Sequence, residues 1–180
     1  MKGSSSSVSP LDLRSFVRDV PDFPKKGIVF KDITPLLGDP KAFTAAIDRI
    51  VDRFKGDGIR LVAGIESRGF LLASAVAYRL EAGLIPVRKK GKLPRTTISV
   101  TYSLEYGTDS LEVHADAAPA GAKVLIIDDV LATGGTARAS CELLEKLGAR
   151  VAGVGFLIEL GFLKGREKLA GRTTFSVIEY

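Results

Sequence analysis

Apolar side chains recur along this chain first at helical spacing and then in short unbroken runs, and the change of period gives the first expectation of its fold. Phe43, Ala46, Ile47, Ile50, Val51 and Phe54 fall at i, i+3, i+4, i+7 intervals between Asp39-Pro40 and Gly56, which predicts a helix with one buried face. Strand-like and helix-like stretches then alternate: strand 61–65, helix 70–80, strand 84–87, and later strand 124–127, helix 137–147 stopped by Gly148, and strand 151–158. Such alternation marks βα units, so the expected class is α/β, with a central, mainly parallel twisted sheet flanked by helices.

The remaining stretches are less regular. Ser9 as N-cap, Pro10 at the first helical position and Asp12 beyond predict a helix ending near Pro21. Lys89 to Arg95, charged and broken by Gly91 and Pro94, reads as a mobile loop, while 97–101 and 110–113 read as strands pairing around 103–109. Residues 1–8, with serine at 4–7, read as a disordered tail; without a repeat or linker, 9–180 is expected to form one domain, with 9–38 as an N-terminal segment.

Composition narrows the function. At 46% hydrophobic, 180 residues can bury a core. No apolar run approaches the roughly 20 residues that cross a bilayer, and the first residues lack a signal-peptide pattern, so a soluble cytoplasmic protein without a membrane partner is expected. Lys and Arg number 26 against 21 Asp and Glu; the +5 balance is spread among both signs, which favours a local anion site over a nucleic-acid surface. With one cysteine, Cys141, and one histidine, His114, the chain assembles neither an internal disulfide nor a Cys/His metal cage, so any metal must be held by oxygen.

The densest chemistry lies in Val124-Leu-Ile-Ile-Asp-Asp-Val-Leu-Ala-Thr-Gly-Gly-Thr136. Four apolar residues carry Asp128 and Asp129 to the C-terminal edge of a core strand, where open α/β sheets bind ligands. Ala132, Thr133, Gly134, Gly135 and Thr136 then form a turn whose glycines let backbone amides approach a ligand, and the helix behind it favours an anion. The Gly-Lys-Ser/Thr of a triphosphate loop and the Gly-x-Gly-x-x-Gly of a dinucleotide site are missing. Carboxylates suit sugar hydroxyls or the waters of Mg²⁺, so one ligand carrying a phosphate and a diol would satisfy the whole segment.

This acid pair followed by Ala-Thr-Gly-Gly-Thr resembles the phosphoribosyl pyrophosphate signature of type I phosphoribosyltransferases. Three further stretches are similar to the adenine phosphoribosyltransferases of that group. Glu66, Ser67 and Arg68 in Glu-Ser-Arg-Gly-Phe resemble their pyrophosphate loop, where the family holds a strained peptide; Arg88, Lys89 and Lys92 resemble the start of their closing loop, with Arg88 implied to act across a dimer. Tyr102-Ser-Leu-Glu-Tyr-Gly107 implies Glu105 as the catalytic carboxylate beside the base. In the segment from Pro24 to Pro35 the resemblance implies that Phe30 stacks on the purine while the backbone of Val29 and Lys31 reads its edge, with Val130 and Leu160 completing the base pocket. Lys31 and Val130 depart from the arginine and leucine frequent at those places.

The resemblance implies the type I fold with a small N-terminal hood over 9–38 and a mobile β-loop. It also implies a homodimer, adenine and phosphoribosyl pyrophosphate as substrates, and Mg²⁺ as cofactor, held by substrate and water rather than directly by the protein. The residues themselves establish a phosphate-and-diol site without naming the base. A 6-oxopurine or orotate enzyme, a protein that binds phosphoribosyl pyrophosphate as a signal, and an RNA-binding module stay open at this point.

Overall fold

The structure is a computed structural model that describes residues 11–103 and 107–180. Ser9, Pro10 and Glu105 lie outside the described residues. The chain divides into two compact units, one ending at Ala46 and one from Ile47 to Tyr180.

In the first unit, strands β1 (Arg18–Pro21) and β2 (Val29–Asp32) pair antiparallel, with Val20 opposite Phe30, and helix α1 (Thr34–Gly38) follows. The helix expected up to Pro21 is therefore corrected. Asp12 itself caps a 3₁₀ turn, Leu13–Phe16, by accepting from the amide of Arg14 at 3.0 Å, and Arg18–Pro21 is spent on the hairpin. Pairing across the hairpin overrides a weak local helix signal.

Helix α2 (Pro40–Phe54) starts where Asp39 accepts from the amides of Lys41 and Ala42 at 2.9 and 2.8 Å. Its periodic residues Ala46, Ile47, Ile50, Val51 and Phe54 are buried, as the spacing predicted.

The second unit is built on a seven-stranded sheet. Its strands are β3 (Leu61–Ile65), β4 (Gly83–Lys89), β5 (Thr97–Ser103), β6 (Thr108–His114), β7 (Lys123–Leu131), β8 (Arg150–Glu159) and β9 (Thr174–Glu179), in the order β5-β6-β4-β3-β7-β8-β9. β4, β3, β7, β8 and β9 run parallel, and β6 and β5 close one edge antiparallel, so the sheet is mixed and mainly parallel. Helices α3 (Gly69–Arg79) and α4 (Gly135–Lys146) pack against it. Val124, Leu125, Ile126 and Ile127 are fully buried, the continuous apolar run of a strand covered on both faces.

This strand order positions the site. From β3 the chain crosses through α3 to β4 on one side, and from β7 it crosses through α4 to β8 on the other. The direction of winding reverses between β3 and β7, and a doubly wound sheet opens its crevice at the C-terminal ends of such a pair.

Two features differ from expectation at the edges of these elements. Lys89 belongs to β4, paired with Leu111, rather than to a loop. β9 has no counterpart in the expected elements; it completes the sheet beside β8.

Candidate active site

The crossing from β3 to α3 and the crossing from β7 to α4 meet at that switch point. β7 continues past the acid pair to Leu131, so Asp128 and Asp129 lie within the strand rather than at its last residues. Gly69, at the start of α3, sits directly on the first acid: a Cβ placed there would lie 2.8 Å from Oδ1 of Asp128 and 3.0 Å from the carbonyl oxygen of Ile127. Neighbouring Arg68 brings its Nε to 2.6 Å from Oδ2 of Asp129, whose residue is only 7% exposed. That approach is an ion pair out of line for a hydrogen bond, so the buried oxygen has a counter-charge but no hydrogen-bond donor. Oδ1 of Asp128 accepts from the amide of Asp129 at 2.9 Å.

Burial, and then the adjacent charge of Asp129, push the Asp128 carboxyl well above the usual carboxylate range. One oxygen of the acid pair, Oδ2 of Asp129, lacks a hydrogen-bond donor and attracts a ligand that supplies one.

The turn after β7 is shaped by Gly134, which has φ of +76° in the left-handed region and forms the N-cap of α4 without a side-chain capping bond. The amides of the first helical turn, including those of Gly135 and Thr136, are thus left for an anion in place of a capping side chain. Thr133 is exposed and Ala132 half-buried beside it. Thr136 Oγ1 donates to the hydroxyl of Tyr102 on β5 at 3.3 Å, and burial pushes the Tyr102 phenol up.

A second cluster forms around Glu66, whose side chain is 6% exposed. Its carboxylate accepts from Arg88 Nε at 3.1 Å, from the amide of Lys89 at 3.0 Å and from Lys92 Nζ at 2.5 Å. Burial pushes this carboxyl up, but the bonds from Lys92, the Lys89 amide and Arg88 outweigh it and hold the group below its ordinary value. Lys89 Nζ turns to Asp109 at 3.2 Å. The peptide between Glu66 and Ser67 is cis, and Ser67 is exposed. The structure therefore joins Glu66, Arg88, Lys89 and Lys92 in one cluster, Arg68 and the acid pair in another, with Ser67 as the link between them.

Val130 pairs with Ile158, and the amide of Leu160 donates to the carbonyl of Leu131 at 2.9 Å, so both apolar candidates flank the end of β7. Val29, Phe30 and Lys31 lie on β2 in the first unit. There the Phe30 ring meets Phe23 edge to face at 5.1 Å and Lys31 Nζ pairs with Asp19 at 2.6 Å.

Two contributors went unnoticed in the sequence. Glu112 is a buried carboxylate whose Oε1 accepts from the consecutive amides of Gly91, Lys92 and Leu93 at 3.0, 3.2 and 3.2 Å, tying down the basic turn. A charge between Leu111 and Val113 in a strand was its signal. Gly165 packs on the turn from Ala132 to Gly134, and nothing in the local pattern announces that contact. Among the described residues, no group of three or more His, Cys, Asp and Glu side chains comes together to hold a metal, and no helix is long and apolar enough to cross a membrane.

A doubly wound sheet with paired carboxylates and a glycine turn at its switch point defines a phosphoribosyl-binding class, and residues 37–174 match the phosphoribosyl transferase domain. The adenine phosphoribosyltransferase of Desulfitobacterium hafniense is 56% identical over 170 residues, covering 94% of this chain and 98% of the relative. The crystal structure of the adenine phosphoribosyltransferase from Thermoanaerobacter pseudethanolicus superposes with a TM-score of 0.91 at 52% identity, covering 93% of this chain and 98% of that one. The Saccharomyces cerevisiae enzyme, solved with adenine and D-2,5-dideoxy-2,5-imino-altritol 1,6-bisphosphate, gives 0.86 at 41% identity, with 92% and 96% covered. The chain belongs to the adenine phosphoribosyltransferases, enzymes of the pentosyltransferase class.

Proposed function

We propose that this chain transfers the 5-phosphoribosyl group of phosphoribosyl pyrophosphate to adenine, giving AMP and pyrophosphate, as a Mg²⁺-dependent step of purine salvage in the cytoplasm. The observation that carries the reading is the meeting of Arg68, the Asp128/Asp129 pair and the Gly134 turn at one switch point.

In the reaction a ring nitrogen of adenine forms a bond to C1 of the ribose while the bond from C1 to the pyrophosphate oxygen breaks, its electron pair leaving with pyrophosphate. Positive charge builds on the sugar and negative charge on the leaving group. Asp128 and Asp129 accept hydrogen bonds from the ribose hydroxyls, and the amides from Thr133 to Thr136 hold the 5-phosphate; anchoring that remote group directs binding energy to orientation at C1. Arg68, Arg88 and Lys92 supply countercharge to the departing pyrophosphate, Lys92 and Arg88 exchanging Glu66 for it. Glu105 accepts the proton lost by the adenine nitrogen, on the strength of its place in the Tyr102 to Gly107 motif.

The hard carboxylate oxygens of the acid pair, one of them without a hydrogen-bond donor, fit the waters of a Mg²⁺ ion carried by the substrate. When bound, that ion neutralises charge on the pyrophosphate oxygens. Within the first unit Phe30, Val29 and Lys31 are the base-binding candidates, and within the second unit Val130 and Leu160 are. Exposed Leu71 and Tyr78 on α3 and Leu84 on β4 suit a face covered by a second copy in a homodimer.

The test is to incubate the protein with phosphoribosyl pyrophosphate and Mg²⁺ against adenine, hypoxanthine, guanine and orotate separately, detecting the nucleotide formed. AMP alone, lost on chelation, is expected; preference for another base, or turnover unaffected by chelation, would overturn the reading.

A further inference from the structure

The turn from Ala132 to Thr136 is in close contact with a segment distant in sequence. A Cβ at Gly134 would run into the carbonyl oxygen of Gly165, and one at Gly165 would run into the carbonyl oxygen of Ala132 and lie 2.9 Å from the amide nitrogen of Gly134. The two backbones touch with no room for a side chain on either, so the position of the turn is set by the position of Gly165.

Gly165 is in turn held by the next residue. Arg166 donates from Nε to Oε1 of Glu159 at 2.9 Å and from its terminal nitrogen to Oε2 of the same carboxylate, while its other terminal nitrogen donates to the carbonyl of Thr174 at 3.1 Å. Ser176 Oγ completes the carboxylate at 2.6 Å. Glu159 is 7% exposed, is the last residue of β8, and stands in register with Leu131, from which the chain turns into the phosphate segment. Arg166 thus bolts the Gly165 segment to Glu159 at the end of β8 and to Thr174 at the start of β9.

Arg166 keeps 43% of its side chain exposed, and a partly exposed ion pair is a weak source of stability. A bidentate guanidinium–carboxylate pair does fix direction, because its two parallel bonds admit one orientation. We propose that Arg166, through Glu159 and Gly165, is a positioning residue that sets the phosphate turn for phosphoribosyl pyrophosphate. This rests on the reading of residues 132–136 as the 5-phosphate site.

Steady-state kinetics on the full chain with Mg²⁺ tests it. For Arg166→Gln, KM for phosphoribosyl pyrophosphate should rise on the order of tenfold, as small displacements of binding groups do, with KM for adenine changed less than about twofold. Arg166→Lys, which keeps the charge without the fork, should fail to restore the wild-type value. Gly165→Ala, which leaves the ion pair intact, should give the same split between substrates. If Arg166→Gln does not fold, the Lys and Gly165→Ala variants decide.

Wild-type KM for phosphoribosyl pyrophosphate in these variants, or equal increases for both substrates, would sink the proposal. Gly135→Asp, which places a carboxylate in the turn, separates the two levels. If it binds phosphoribosyl pyrophosphate normally, the phosphate reading and the positioning role fall together. If it loses binding while the Arg166 variants keep it, the positioning role alone falls.

Discussion

Asp128 shows at the scale of one residue what a binding site demands of the fold. Its carboxyl is raised in the fold, by burial first and by Asp129 second, so the folded chain holds this proton more tightly than the unfolded chain. The stability linked to the group is complete below the ordinary aspartate pKa of about 4 and is lost as pH climbs through the higher folded value. Asp128→Asn removes the penalty of an ionised acid while keeping the shape. We expect the ligand-free variant to melt above wild type at pH 7.5, the gain shrinking toward pH 4, with binding of phosphoribosyl pyrophosphate weakened. A variant that melts lower at pH 7.5, or a gain that grows as pH falls, would contradict this account.

At the same scale, Asp128, Asp129, Arg68 and the glycines of the turn stood out as candidates because each is a charged or glycine residue beyond an apolar run, where a core element has no need of one. Glu66 stood out as a candidate, but its partners did not: that it binds Arg88 and Lys92, some two dozen positions on, follows from the pairing of β3 with β4.

Among elements, the basic turn after β4 is the informative case. Its charge and its Gly91 and Pro94 suggest a mobile loop, yet three successive amides converge on one oxygen of Glu112, and Lys89 is in the strand. Truncating a buried acceptor of several bonds leaves donors unsatisfied at about 1–3 kcal/mol each, partly relieved by water. Glu112→Ala should therefore lower unfolding stability by about 2–4 kcal/mol and raise KM for phosphoribosyl pyrophosphate through misplaced Lys92 and Arg88. Denaturant melts and kinetics check both; an unchanged midpoint together with an unchanged KM would refute the anchoring role.

The elements that the sequence made plain, β3, α3, β7 and α4, carry uninterrupted periodic patterns over contiguous residues. The hairpin of β1 and β2 and the edge strand β9 were obscure because their short segments gain their order from partners, Asp32 for Arg18 and Glu159 for Glu179. Gly165 was obscure for the same reason: its requirement for glycine comes from a backbone thirty residues away.

For the whole molecule, apolar exposure is the feature left unexplained by the single chain. Leu71 and Tyr78, seven residues apart on α3 and so on one side of the helix, are 53% and 84% exposed. The proposed homodimer would cover them. Light scattering should find wild type at twice the chain mass and the Leu71→Asp/Tyr78→Asp double variant at the chain mass; a monomeric wild type would remove the homodimer from the reading.

The contact between Arg68 and Asp129 has a consequence for the catalytic cycle. In the fold each group answers the other's charge, so on the proposed reading the incoming diphosphate and diol exchange with an internal surrogate. On the same reading, the guanidinium would return to the carboxylate when pyrophosphate departs and help expel the nucleotide. Substrate capture and product discharge would then be opposite throws of one lever.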